Sequence, residues 1–235
     1  MNPAYSVILF TTASGAGYGL FALLGLVGIN HGQASSLAFG VTAMFVSLAL
    51  ITVGLLSSTL HLGHPERAWR ALSQWRSSWL SREGVAAVLT YPVALAFGLV
   101  WSGIVVAPQW ITPLALASMV MSAVTVLCTG KIYATLRTIP QWHHPLTVPV
   151  YFAFAAMTGC AVLAAVATPF GRFQVFQVLL AIVFLAIAAL LSWLITPWLS
   201  LVLAVAALAA ATVERWLFFA EATHVVNLYY GLDKA

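Results

Sequence analysis

Apolar residues run along this chain in long unbroken stretches, not in the alternating or one-face patterns of half-buried strands and surface helices. Seven stretches, at about 4–29, 36–60, 84–107, 110–130, 146–167, 175–195 and 198–220, are long enough to cross a membrane, since about 20 apolar residues span a hydrocarbon core roughly 30 Å thick. Their Leu, Ala and Val follow one another without the alternation of a barrel strand. The pattern therefore predicts an all-α, polytopic transmembrane helical bundle of about seven spans. The breaks carry turn residues, as in Ala107-Pro108-Gln109-Trp110 and Thr168-Pro169-Phe170-Gly171. No internal repeat or low-complexity tract interrupts the order, and residues 1–235 read as a single integral membrane domain. The opening residues lack the positive region and small-residue cleavage site of a secretory signal, so the first span is expected to be retained.

Composition closes off the soluble alternative. Of the 235 residues 63% are hydrophobic and 6% charged, where a soluble domain carries roughly 25% charged residues. Mean hydropathy is +1.02. The first charged side chain is Glu66, so the first two stretches hold no Lys, Arg, Asp or Glu at all. The net charge of +4 comes from nine basic and five acidic groups. On a membrane protein it reads as orientation and contact with anionic lipid, not as nucleic-acid binding.

Placement of the basic groups predicts the orientation. Arg67, Arg70, Arg76 and Arg82 lie between spans two and three, and Lys131 and Arg137 between spans four and five. The opposite loops hold only Arg172, a bias of six against one. The positive-inside rule then puts those loops and the N-terminus in the cytoplasm, with the chain expected in the inner (cytoplasmic) membrane. Seven spans would leave the C-terminus outside. Cys128 and Cys160 both fall inside apolar stretches without a CxxC pair or metal-type neighbours, so they read as packed thiols, with no iron–sulfur cluster or metal site on this chain.

The chemistry-bearing residues concentrate in one loop. Residues 61–83 pack two His, two Glu, four Arg and three Trp into an otherwise charge-poor sequence. Its acid–base groups lie at span ends, where headgroups and water meet hydrocarbon. That depth suits a quinone, whose tail stays in lipid while its ring needs hydrogen-bonding groups and, on reduction, two protons. Histidine titrates near physiological pH, and a carboxylate can pass protons or hold a hydroxyl. His61 and Glu83 are the leading candidates, because an ionisable group at a span end faces desolvation. Arg70, Arg76, Trp69 and Trp75 read as positive-inside and aromatic-belt residues. His64 precedes Pro65, which favours a turn.

The last stretch is the second anomaly. Glu214 and Arg215 fall well inside it, and Glu214, Glu221 and His224 share one helical face at i, i+7 and i+10. Ionisable groups inside a span are functional candidates, unless the span ends near Thr212 and the remainder lies along the interface. Other features read as structural. Gly15-Ala-Gly17-Tyr-Gly19 sits in mid-span, where small residues allow close helix packing. His143 and His144 read as a solvated loop, and His31 as a lone loop histidine.

These motifs resemble a family. His61-Leu-Gly-His64-Pro65-Glu66-Arg67-Ala-Trp69 followed by Ser77-Ser78-Trp79-Leu80-Ser81-Arg82-Glu83 is similar to the membrane anchor subunits of dimethyl sulfoxide reductase, and closer still to the anchors of membrane-bound sulfite dehydrogenases within that family. Cys128-Thr-Gly-Lys131-Ile-Tyr133 through Ile139-Pro140-Gln-Trp142 fits the same pattern, as does Glu214-Arg215-Trp216 through His224 and Asn227-Leu-Tyr229-Tyr230. The resemblance implies a three-subunit complex. A molybdopterin catalytic subunit does the substrate chemistry, a four-cluster ferredoxin-like iron–sulfur subunit carries electrons, and this chain exchanges them with ubiquinone or menaquinone. It implies a quinone role for His61 and Glu83, and with them the candidate set takes in Arg82, His64, Trp79 and Tyr133. Arg215, Glu221 and His224 form a possible C-terminal site. The family usually has eight spans. With seven, His224 would lie across the membrane from His61; with eight, it would share that side.

The preferred reading is a quinone-binding anchor that serves sulfite oxidation, with a dimethyl sulfoxide-type reductase anchor oxidising quinol as the alternative. A cytochrome b-type anchor would need histidine pairs well inside helices, whereas five of the six histidines sit in loops or at span ends; haem b is not expected, and a reduced-minus-oxidised spectrum tests for it. A transporter would want broken helices and a midplane charge, which spans one to six lack.

Overall fold

The computed structural model describes residues 5–59, 65–170 and 197–220. Their regular structure is helical throughout: α1 (Tyr5–His31), α2 (Leu37–Thr59), a 3-10 segment (Pro65–Gln74), α3 (Trp79–Trp101), α4 (Ile111–Ala134), α5 (Thr147–Ala167) and α6 (Pro197–Ala220). The stretch at 175–195 lies outside the described residues, as do His61, His64, Glu221 and His224. Among the described residues five helices, α1 to α5, are long and apolar enough to cross a membrane. The all-α bundle predicted from the sequence is the fold.

Helix α1 is the axis of the bundle. It is 72% buried over its most apolar window, against 39% for α2 and α3, and it packs against α2, α4, α5 and α6. The outer helices turn Phe45, Leu56, Val88, Leu95 and Val120 outward, which fits hydrocarbon as the solvent. Small residues let α1 take the central place. Ser47 Oγ on α2 donates to the Gly17 carbonyl at 3.1 Å. A Cβ on Gly19 would collide with the Ala155 carbonyl of α5, and one on Gly159 with the Gly19 backbone. Without a hydrophobic force between helices in lipid, this close backbone contact is what packs them.

Both ends of α3 differ from the apolar pattern by five or six residues, and each has a local cause. Helix α3 begins at Trp79 rather than Gly84, because Ser78 adopts an extended N-cap conformation and its side chain accepts from the Ser81 N–H. The cap satisfies an end donor that would otherwise be orphaned. Glu83 is thereby carried a full turn into the helix. The same helix ends at Trp101 rather than Ala107, where Gly103 at φ +85° turns the chain through a backbone region that glycine enters freely.

Helices α5 and α6 are antiparallel. Tyr151, near the start of α5, lies under Arg215 near the end of α6, while Ala161 midway along α5 packs with Ala204 and Ala207 of α6. The end of α5 and the start of α6 therefore lie on one side of the bundle. A count of seven spans, with one crossing between these helices, would run them parallel and put the C-terminal motif across the membrane from the 61–83 loop. Arg215 itself lies over Tyr151, at the Glu83 end of the bundle.

Candidate functional site

Glu83 is the centre of a polar cluster inside an apolar bundle. It is 4% exposed, and Thr129 Oγ1 on α4 donates to its Oε1. The same hydroxyl lies 3.0 Å from the Thr125 carbonyl one turn back. A threonine hydroxyl has one proton and two lone pairs, so Thr129 cannot donate to both at once. When it donates to the carboxylate, both groups are satisfied. When it donates to its own helix, the contact is kept only if Glu83 is protonated and becomes the donor. The pair therefore suits either protonation state of the acid.

Residues from five helices meet around this pair. Tyr18 of α1, together with Cys128 and Tyr133 of α4, lies within electrostatic reach of the Glu83 carboxyl. The Tyr133 ring stacks on Tyr151 of α5 at 5.8 Å and 15°, and meets the edge of Trp142 at 5.3 Å. Arg215 of α6 is 3% exposed. Its guanidinium lies 4.2 Å from the Tyr151 ring centroid and 5.3 Å from that of Phe154, a cation held over aromatic faces in a setting where desolvation strengthens the attraction. A polar cavity between α1, α4, α5 and α6 is lined by Thr12, Ser14, Tyr18, Thr129, Tyr151 and Arg215.

The predicted site residues thus divide. Glu83, Tyr133 and Arg215 come together although 132 positions separate the first from the last. Arg82 and Trp79 lie at the rim: the Arg82 guanidinium stacks 4.3 Å from the Trp79 ring, and its Nε and Nη2 donate to the Trp75 and Arg76 carbonyls at 3.0 and 2.7 Å. They tie the loop to the start of α3. His61, His64, Glu221 and His224 lie outside the described residues. His143 and His144 are exposed and bound to nearby backbone, His143 Nδ1 to the Ala134 carbonyl at 2.6 Å and His144 Nδ1 to the Leu146 N–H at 3.2 Å. Trp69 and Trp75 are exposed beneath Arg70 and Arg76, each at 5.5 Å.

Tyr151 carries no motif that marks it in the sequence, and Thr129 and Tyr18, though inside the segments Cys128–Tyr133 and Gly15–Gly19, are not singled out there. A weaker signal for Thr129 is present: Ser118, Ser122, Thr125, Thr129 and Tyr133 are all buried on one face of α4, spaced three or four apart as helical neighbours must be. A run of hydroxyls at that period inside an apolar span marks an inward polar stripe.

The family model of the DMSO reductase anchor subunit (DmsC) matches residues 1–195, ending before α6 and Arg215. The C subunit of sulfite dehydrogenase from Allochromatium vinosum is 34% identical over 193 residues, covering 73% of this chain and 57% of that protein. The YnfH chain of anaerobic dimethyl sulfoxide reductase from Escherichia coli is 32% identical over 129 residues, 54% of this chain and 44% of the relative. The C chain of the Haemophilus influenzae enzyme of the same name is 26% identical, with 69% and 58% covered. The protein spans about half the length of the curated relatives it matches. No solved structure matches. A multi-pass bundle of apolar helices, matched over most of its length by this model, belongs to the DMSO reductase anchor subunit family.

Proposed function

We propose that this protein is the membrane anchor of a molybdoenzyme complex, exchanging electrons between the quinone pool and an iron–sulfur subunit. The observation that carries the reading is the Glu83–Thr129 pair: a buried acid, beside the loop end of the bundle, that keeps its hydrogen bond whether protonated or not. Reduction of a quinone to quinol takes two electrons and two protons. The electrons would come from the iron–sulfur partner docked on the arginine-rich loop, and the protons from the cytoplasm through His61 and Glu83. Tyr133 belongs to the same cluster, Arg82 and Trp79 shape the loop at its rim, and His64 joins the candidate set by its place in the sequence motif. Arg215 brings a positive charge to the cluster, with Glu221 and His224 following it in the sequence. The six-to-one basic bias supports an inner membrane orientation with this loop and the partners on the cytoplasmic side.

Sulfite oxidation with quinone reduction is the preferred direction, supported by the relative named as a sulfite dehydrogenase. The relatives named dimethyl sulfoxide reductase favour the second reading, a quinol-oxidising anchor. Adding sulfite to membranes that hold the complex separates them: quinone is reduced in the first case and untouched in the second. The site itself is tested by His61→Ala. Quinone-coupled turnover should be lost while the catalytic partner still works with a soluble artificial electron carrier. Full quinone activity in that variant would show the site to be wrong.

A further inference from the structure

A second opening lies beside the polar cavity. Between α1, α4 and α5 a groove holds about 600 Å³ of unfilled space, part of it open to the bundle surface. Its lining includes the large Leu23, Met119 and Phe152 and the small Gly19, Ala22 and Ala155. The groove exists because of those small side chains. The Gly19–Gly159 contact draws α1 and α5 together, and Ala123 and Ala156, both exposed, leave its mouth open toward lipid. Interiors are normally packed without such gaps.

The lining of the groove is almost wholly apolar, with two buried hydroxyls behind it. Tyr18, Val126 and Ala155 line both the groove and the polar cavity, so they form the partition between them. Among the residues that line the groove only Tyr18 and Ser122 carry hydroxyls, and both are 2% exposed. Ser122 Oγ is buried with no hydrogen-bond partner among the described residues. The Tyr18 hydroxyl stands near Thr90 and Thr125 without a bond of ordinary geometry, and the hydroxyls of those threonines are turned to the Ala86 and Met121 carbonyls. Buried hydroxyls are seldom left without a full partner. Here two of them stand at the closed end of an otherwise apolar groove.

We propose that this groove seats the polyprenyl tail of a quinone, with the ring at its inner end against Tyr18 and Ser122. The proposal rests on the quinone reading above and adds to it where the molecule lies and how it approaches Glu83. The ring carbonyls would accept from the two hydroxyls, and the partition puts the ring beside the cavity lined by Thr129, the hydrogen-bond partner of Glu83. The acyl tail of a phospholipid fits the end of the groove less well, because its terminal methyl offers nothing to either hydroxyl and its headgroup cannot reach this depth. Lipid tails are as apolar as the groove, so transfer from the bilayer contributes little hydrophobic energy. The groove acts by fixing the tail and with it the ring.

The test compares a tail-less quinone with one carrying several isoprene units, using the whole complex in its membrane and the substitution Ala123→Phe at the mouth. The apparent KM for the long-tailed quinone should rise about tenfold, the order that one misfitted apolar group produces in a pocket. The KM for the tail-less quinone should stay within about twofold, because the ring end is untouched. An equal rise for both quinones, or none for either, overturns the groove. If the unsubstituted complex turns over neither quinone, the quinone reading itself has failed. The unsubstituted protein gives a second readout independent of folding: a quinone with a photoreactive tail should label 19–23 and 119–126, and unlabelled quinone should compete. Label spread over the outer faces of α2 and α3, or label that quinone does not displace, overturns the proposal.

Discussion

At the scale of single residues, Glu83 has three available roles that kinetics can separate. Gln in its place keeps the acceptor for Thr129 and the size of the side chain, but it has no acidic proton. If Glu83 relays protons, Glu83→Gln should lower kcat by roughly a hundredfold or more, the range typical of a lost acid–base group, with little change in quinone KM. The dependence on pH near neutrality should flatten as well. If the acid only holds the ring, KM rises and kcat stays near normal; if it only packs, neither moves. Arg215 permits a cleaner structural prediction. Arg215→Lys keeps the charge and discards the planar face that lies over Tyr151, a substitution that is not conservative at a stacked site. The detergent-solubilised complex should lose about 0.5–2 kcal/mol of stability, seen as a lower Tm, while tail-less quinone still turns over. Of these residues Glu83, Tyr133 and Arg215 were legible in the sequence, because a charge or a motif marked them. Thr129 shares the motif of Tyr133 and Tyr151 has none, but neither was singled out: a hydroxyl or a ring inside a span is common, and only the fold shows which one meets the acid.

At the scale of elements, the apolar stretches located the helices but not their ends. Hydropathy reports which residues tolerate hydrocarbon, whereas a helix end is set by the groups that satisfy its terminal donors and acceptors. Ser78 is polar and lies outside the apolar stretch, yet it starts α3. Gly103 is small and lies inside the stretch, yet it ends the same helix. The first of these shifts decides the site, since a helix begun at Gly84 would leave Glu83 in the loop. Ser78→Ala should therefore cost about 1 kcal/mol by removing the cap and loosen the first turn of α3, on which Glu83 stands. Hydrogen exchange at the amides of residues 79–82 should quicken relative to those in the middle of α3. If protection there is unchanged, the cap is not what fixes Glu83 at its depth.

At the scale of the whole molecule, the antiparallel pairing of α5 with α6 sets which parts of the sequence share a side of the membrane. Basic-residue counts predict the side of each loop on the assumption that every apolar stretch crosses once. A single miscounted crossing reverses the side of everything after it. Side-chain contacts answer where counting does not: Arg215 lies on Tyr151, Tyr151 on Tyr133, and Tyr133 one turn from Thr129, which bonds Glu83, so α6 must end where α3 begins. Reporters of compartment fused in the 65–78 segment, in the 135–146 loop and after Ala220 should then all give the same signal. By the positive-inside rule that signal should be cytoplasmic. An opposite signal from the last fusion alone would break the α5–α6 pairing and remove Arg215 from the cluster. Agreement among the three, but on the outer side, would leave the cluster intact and overturn the orientation, moving the proposed partner subunits across the membrane with it.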